Sequence, residues 1–142
     1  AELSLGIRRA HDFVTVGAPH PLQEAAVTAL QLPDAYYVKL REAYQARRDL
    51  LFGYVERAGF VAWKPRGAYY ILTDVAHFLK RYGVGDDTAF AMWLIKNVGV
   101  ATVPGSSFYA HPELGRTKIR FCFPKTDDVL RDAGERLLKL RS

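Results

Sequence analysis

In the run KIRFCF, residues 118–123, side chains alternate with the period of a β-strand. Ile119, Phe121 and Phe123 fall on one face, and Lys118, Arg120 and Cys122 on the other. Arg120 is therefore a guanidinium fixed on a strand between aromatic neighbours, and such a fork can grip a carboxylate at two points. From spacing alone the plainer account stands ahead of it: an arginine on a solvated sheet face, paired with a nearby acid. Other chemistry is sparse. The four histidines, His11, His20, His77 and His111, lie at no metal-ligand spacing, and no Cys–His cluster exists, so no metal site is expected. Ser106-Ser107 follow a glycine, but no strand-to-helix elbow follows them, so a structural role is expected rather than a nucleophile. Walker A, Gly-x-Ser-x-Gly and Gly-x-Gly-x-x-Gly are absent. The single cysteine, Cys122, cannot form an internal disulfide. That fits a reducing compartment, and Cys122 is expected to be a small buried hydrophobe.

The elements around Arg120 can be read from breakers and periodicity. Residues 100–103 read as a short strand, β-branched at all but Ala101 and stopped by Pro104-Gly105, and 106–116 is predicted to be a loop before the Arg120 strand. Upstream, 2–11 is a short amphipathic helix and 13–16 is extended. Pro19 and Pro21 force a loop, with Pro21 suited to the first turn of a helix at 22–32. That helix is strongly apolar and predicted to be buried on most sides. Asp34 is a plausible N-cap for a long helix at 35–58, ended by Gly59. Strands follow at 60–63 and 68–73; Tyr69 to Leu72 leaves no polar gap, so both sheet faces are expected to be covered. Helices are predicted at 74–82, capped by Asp74 and stopped by Gly83, and at 88–98, capped by Asp86 or Asp87 and ended by Gly99. A last helix, 127–140, is expected to be capped by Thr126, with Leu130, Ala133, Leu137 and Leu140 inward. The fold class predicted is α/β: a two-layer sandwich whose small, mostly antiparallel or mixed sheet has helices packed on one face.

Length and composition suit one domain. The chain has 142 residues, 49% of them hydrophobic and 25% charged, which is enough for a real core. No apolar run is long enough to span a bilayer, and the first residues lack a signal-peptide pattern, so no membrane partner is expected. The net charge of +5 is spread along the chain with no basic stripe or docking motif, so no nucleic-acid partner is expected. The chain lacks a starting Met, which fits a fragment or a processed product.

Four segments, in order, carry a family resemblance. They are HDFVTVGAPHPLQEAAVTAL at 11–30, GFVAWKPRGAYYILTDV at 59–75, WLIKNVGVATVPGSSFY at 93–109 and G-x-x-K-I-R-F-C-F at 115–123. Together they resemble the carboxy-terminal, small-domain portion of class I/II (fold-type I) pyridoxal-phosphate-dependent aminotransferases of the aspartate, aromatic and methionine type. The resemblance covers nearly the whole chain. It implies that residues 1–34 are the end of a large domain and an interdomain segment, and 35–142 a small domain. It implies that Arg120 binds the substrate α-carboxylate. Packing is the expected role of at least one of Tyr69 and Tyr70; the resemblance implies that one lines the substrate pocket, with Tyr69 the candidate.

The Schiff-base lysine of such an enzyme sits in a Ser-x-x-Lys or Ser-Lys run ahead of a Gly-x-Arg-x-Gly segment. None of the seven lysines here has that setting. The phosphate anchor and the acid that pairs with the pyridinium nitrogen are missing too. The resemblance therefore implies a cytoplasmic, homodimeric parent using pyridoxal phosphate, held mainly by the large domain, to move an amino group between an amino acid and a 2-oxo acid. This piece, with no catalytic residue of its own, would be inactive alone. A stand-alone, non-catalytic binding or interaction domain reusing the fold is the alternative.

Overall fold

The structure, a computed structural model, describes residues 2–141. The chain divides between Lys39 and Leu40 into two compact units. The first contains α1 (Glu2–Thr15), α2 (His20–Leu30) and the start of α3 (Asp34–Arg57). The sequence expectations for residues 13–16 and for the burial of α2 do not hold here. Residues 13–16 are not extended: α1 runs on to Thr15, and the Val16 N–H still donates to the Asp12 carbonyl at 3.1 Å. The β-branched Val14 and Thr15 have no strand partner in this unit, so the local helical bond satisfies the backbone. Nor is α2 buried within its unit. Leu22, Val27 and Leu30 are 65%, 49% and 81% exposed, because two helices and part of a third supply too few side chains to enclose a core. Pro21 does sit in the first turn of α2.

The second unit builds the sheet. Its strands are β1 (Val61–Ala62), β2 (Tyr70–Asp74), β3 (Val103–Pro104) and β4 (Lys118–Cys122), all antiparallel in the order β1-β2-β4-β3. The helices α4 (Ala76–Tyr82), α5 (Asp87–Asn97) and α6 (Asp127–Leu138) join α3 in covering one face. Ile71, Ile119, Phe121 and Phe123 from the sheet meet Val55, Phe78, Phe90, Leu94 and Leu137 from the helices, each 3% exposed or less. The α/β reading with helices on a small antiparallel sheet is what the structure has. The opposite sheet face, with Tyr70, Leu72 and Arg120, is only half-buried, so the uninterrupted apolar run in β2 does not mean two covered faces.

Helix ends follow the chemistry of their terminal residues. Gly59 and Gly99, at φ +96° and +76°, end α3 and α5 in a conformation that disfavours other residues. The Asp86 carboxylate accepts the Ala89 N–H at 2.8 Å and caps α5, and the Asp74 carboxylate accepts the Ala76 N–H at 2.9 Å ahead of α4. Asp34 is the first residue of α3 rather than its cap, and the Thr126 side chain makes no capping bond to α6. Asp127 and Asp128 in the first turn of α6 supply the favourable charge instead.

One packing contact sets a test of this layer. A Cβ on Gly134 of α6 would lie 2.2 Å from Cγ of the buried Tyr54, whose hydroxyl donates to Glu135 Oε1 at 2.8 Å. Gly134→Ala should gain up to about 1 kcal/mol of helix propensity. Displacing the Tyr54 ring should cost about 1–3 kcal/mol. Net destabilisation is expected in urea unfolding, and in a Tyr54→Ala background the same change should become neutral or stabilising.

Candidate functional site

β4 lies between β2 and β3, and register sets what Arg120 meets. Arg120 is opposite Leu72 on β2 and Val103 on β3. Tyr70, two residues before Leu72, shares its face and is the diagonal neighbour of Arg120. Its ring centroid is 3.7 Å from Arg120 Cζ. The Phe108 ring, from the short 3₁₀ turn Gly105–Phe108 that follows β3, lies 4.0 Å from the same atom. Two aromatic faces this close hold a guanidinium plane by cation–π attraction, typically about 0.5–2 kcal/mol per contact. They leave the nitrogen edge to be satisfied by something else. Arg120 Nε is buried and has no hydrogen-bond partner among the described residues. No carboxylate among the described residues pairs with Arg120, so the arginine is not the acid-paired surface residue that spacing alone favoured.

Arg120 opens into a cleft of about 440 Å³, lined also by Trp63, Lys64, Pro65, Tyr70, Leu72, Phe108 and Tyr109. Among the described residues no acidic side chain lines it. Its second cation is occupied: Lys64 Nζ is 3.0 Å from the Asp49 carboxylate. Arg48 binds the same Asp49 oxygen at 2.8 Å and donates through Nη1 to the Pro65 carbonyl at 3.1 Å. In this way α3 fixes the Lys64-Pro65 wall. The Arg48 hydrogen bond holds the Asp49 carboxyl below its ordinary range; burial opposes it, and Lys64 adds a further, smaller lowering. A lowered folded value means that this tie is present above the ordinary carboxylate pKa and lost as pH falls through the lowered one. The wall should therefore be intact at neutral pH. Hydrogen bonding with the Tyr69 hydroxyl, then burial, pushes the Tyr70 phenol up, while the charge of Arg120 pulls it down. The phenol stays uncharged at neutral pH and leaves the charge of Arg120 unneutralised.

The turn bearing Phe108 is seated backbone to backbone on a second 3₁₀ turn, Pro112–Gly115. A Cβ on Gly115 would lie 2.4 Å from Ser106 N, and one on Gly105 2.8 Å from the Gly115 carbonyl. Residues 106–116, predicted to be a plain loop, are thus largely two interlocked turns.

The other sequence candidates fall elsewhere. Tyr69 is 44% exposed, packs on Tyr70 and Tyr44 with centroids 4.4 and 6.5 Å away, and is not among the cleft's lining residues. Its neighbour Tyr70 holds that place. Cys122 is exposed rather than buried, because its position puts it on the Arg120 face at the open end of β4. It lines a smaller cleft of about 240 Å³ with Val100, Val129 and Lys125, away from Arg120. No group of three or more metal-ligating side chains occurs among the described residues. Nor is any helix among them long and apolar enough to cross a membrane. Phe108 was not singled out as a site residue by sequence, although it lies within the 93–109 run that carries the family resemblance.

The sequence profile of the family described as Aminotransferase class I and II matches residues 1–137. The chain is 32% identical over 151 aligned residues to the kynurenine–oxoglutarate transaminase of Dictyostelium discoideum, covering 95% of this chain and 35% of that protein. It is 31% identical over 140 residues to the methionine aminotransferase of Escherichia coli (strain K12), covering 99% of this chain and 35% of that protein. Among solved structures it is similar to N-succinyldiaminopimelate aminotransferase from Mycobacterium tuberculosis, with a TM-score of 0.78 at 34% identity, covering 98% of this chain and 35% of that one. The chain spans about 35% of the length of these curated relatives.

Proposed function

This chain belongs to the class I and II aminotransferases, and on that premise we propose that it is the substrate-gripping, carboxy-terminal part of a transaminase that moves an amino group between an amino acid and a 2-oxo acid. The observation that carries the reading is Arg120: a guanidinium flanked by two rings, its Nε buried and unsatisfied, in a cleft without an acid. A buried donor without a partner is costly, and an α-carboxylate satisfies it bidentately. Arg120 would bind and orient the carboxylate. Tyr70 and Phe108 would fix the guanidinium plane, and the apolar surfaces of Trp63 and Leu72 would exclude water beside it. Orientation of this kind is worth several orders of magnitude in rate.

Pyridoxal phosphate, bound, supplies the electron sink for the amino transfer. The residues of this cleft do not fit that group. Lys64, the lysine that lines it, is tied to Asp49, and Lys118 Nζ donates to the Leu114 carbonyl at 2.7 Å. The reading therefore places the cofactor-bearing lysine outside these residues. It takes residues 1–34 as the end of a large domain with its connecting segment and 35–142 as the small domain, in a homodimeric, cytoplasmic parent. The chain by itself is expected to be inactive. Mixing it with pyridoxal phosphate, reducing with borohydride and mapping the adducts should give scattered, substoichiometric labelling and no amino transfer. One stoichiometric adduct at a single lysine, with turnover, would refute this division of labour.

A further inference from the structure

Asp87 is a buried acid with no part in the site as described so far. It is the first residue of α5 and only 1% exposed. The adjacent Asp86 already caps that helix. Asp87 turns inward instead: its Oδ2 accepts the Ser106 N–H at 2.7 Å, and its own N–H donates to the Arg116 carbonyl at 2.9 Å. Ser106 belongs to the turn that carries Phe108, and Arg116 directly follows the turn seated against it. One residue thus ties both turns, at the place where Gly105 and Gly115 leave no room for adjustment. A hydrogen bond to a buried carboxylate is among the stronger ones available, and losing the acceptor strands a backbone N–H.

We infer that Asp87 is a positioning residue for carboxylate recognition: it holds the 105–108 turn so that Phe108 lies against the Arg120 guanidinium. This role presupposes the carboxylate site proposed above. Without Asp87 the turn relaxes, the ring withdraws, and Arg120 must be ordered each time a ligand binds, which weakens affinity.

The test uses the whole 142-residue chain. Asp87→Ala and Asp87→Asn are made alone and with Phe108→Leu. Two quantities are read: the nuclear magnetic resonance signal of the Arg120 Nε–H, displaced by the ring currents of Tyr70 and Phe108, and its titration with 3-phenylpropionate. Asp87→Ala should move the signal toward the ordinary arginine position and weaken the acid about tenfold, the equivalent of one lost hydrogen bond. Asp87→Asn, which keeps an acceptor oxygen, should restore most of both. In the Phe108→Leu background Asp87→Ala should add less than about twofold, because the two act through one contact. Should Asp87→Ala fail to fold, Asp87→Ser carries the same comparison. An unmoved Arg120 signal, or an undiminished further loss in the Phe108→Leu background, would overturn the role given to Asp87. Unchanged affinity in Arg120→Ala would instead refute the carboxylate site, and the Arg120 signal of the Asp87 variants, which keep that arginine, would still report whether Asp87 holds Phe108.

Discussion

Arg120→Ala is expected to lower kcat/KM of the proposed transaminase by about 30- to 5,000-fold for every α-amino donor. The estimate corresponds to the roughly 2–5 kcal/mol lost when one partner of a buried, hydrogen-bonded charge pair is truncated. Arg120 has the features that put a residue in that class. Its Nε is buried, two rings hold its plane, and no acid in the cleft competes for it. Arg120→Lys should fall between wild type and Ala, since it keeps the charge but loses the two-point fork and most of the stacking. Absorbance of the bound cofactor should be unchanged in both variants, because nothing in this cleft is shaped to hold it. Steady-state kinetics with two donors of different side chain, together with the absorbance spectrum, check this. A loss of less than about twofold would reduce Arg120 to a strand residue.

Gly115→Ala should produce the largest loss of stability among single-methyl changes in this chain. The added Cβ would stand 2.4 Å from Ser106 N, 2.5 Å from Gly105 C and 2.6 Å from the Gly105 carbonyl oxygen. All three are backbone atoms, so no rotamer change relieves the clash and one turn must move. Overpacking of this kind costs about 1–3 kcal/mol, and a rigid backbone neighbour puts this case at the upper end. For a chain of this size that is a fall in Tm of roughly 5–10 °C. The displaced turn carries Phe108, so 3-phenylpropionate should also bind more weakly. Gly85→Ala, at an exposed glycine with open space around it, is the control and should stay within about 0.5 kcal/mol of wild type. Equal thermal midpoints for the two variants would show that the turns are not interlocked as described.

Period and punctuation made much of the second unit readable. The alternation in β4 assigned Ile119, Phe121 and Phe123 to the core and Arg120 to the other face, because a strand has only two faces. Gly59, Gly83 and Gly99 marked helix ends because their left-handed backbone is a local property. What depends on partners could not be read the same way. Which tyrosine faces Arg120 is a question of register, and shifting β2 by one residue would exchange Tyr69 and Tyr70. Asp86 and Asp87 are identical in type and adjacent; only the position of the 105–108 turn turns one outward as a cap and the other inward as an anchor. Phe108 sits in a segment with no periodicity to exploit. In the first unit, the apolar run of α2 spoke for burial, yet burial is decided by what stands opposite, and within that unit too little does.

The most direct measurement pairs the arginine with the group it is held to bind. Wild type and Arg120→Ala of the proposed full-length transaminase are each assayed with an α-amino acid and with the primary amine that remains when its carboxylate is removed. If Arg120 acts on the carboxylate, the variant should lose about 30-fold or more on the amino acid and less than about twofold on the amine, a large coupling between one side chain and one substrate group. Equal losses on both substrates would mean that Arg120 supports the fold or the cleft in general, and would contradict its assignment to the substrate carboxylate.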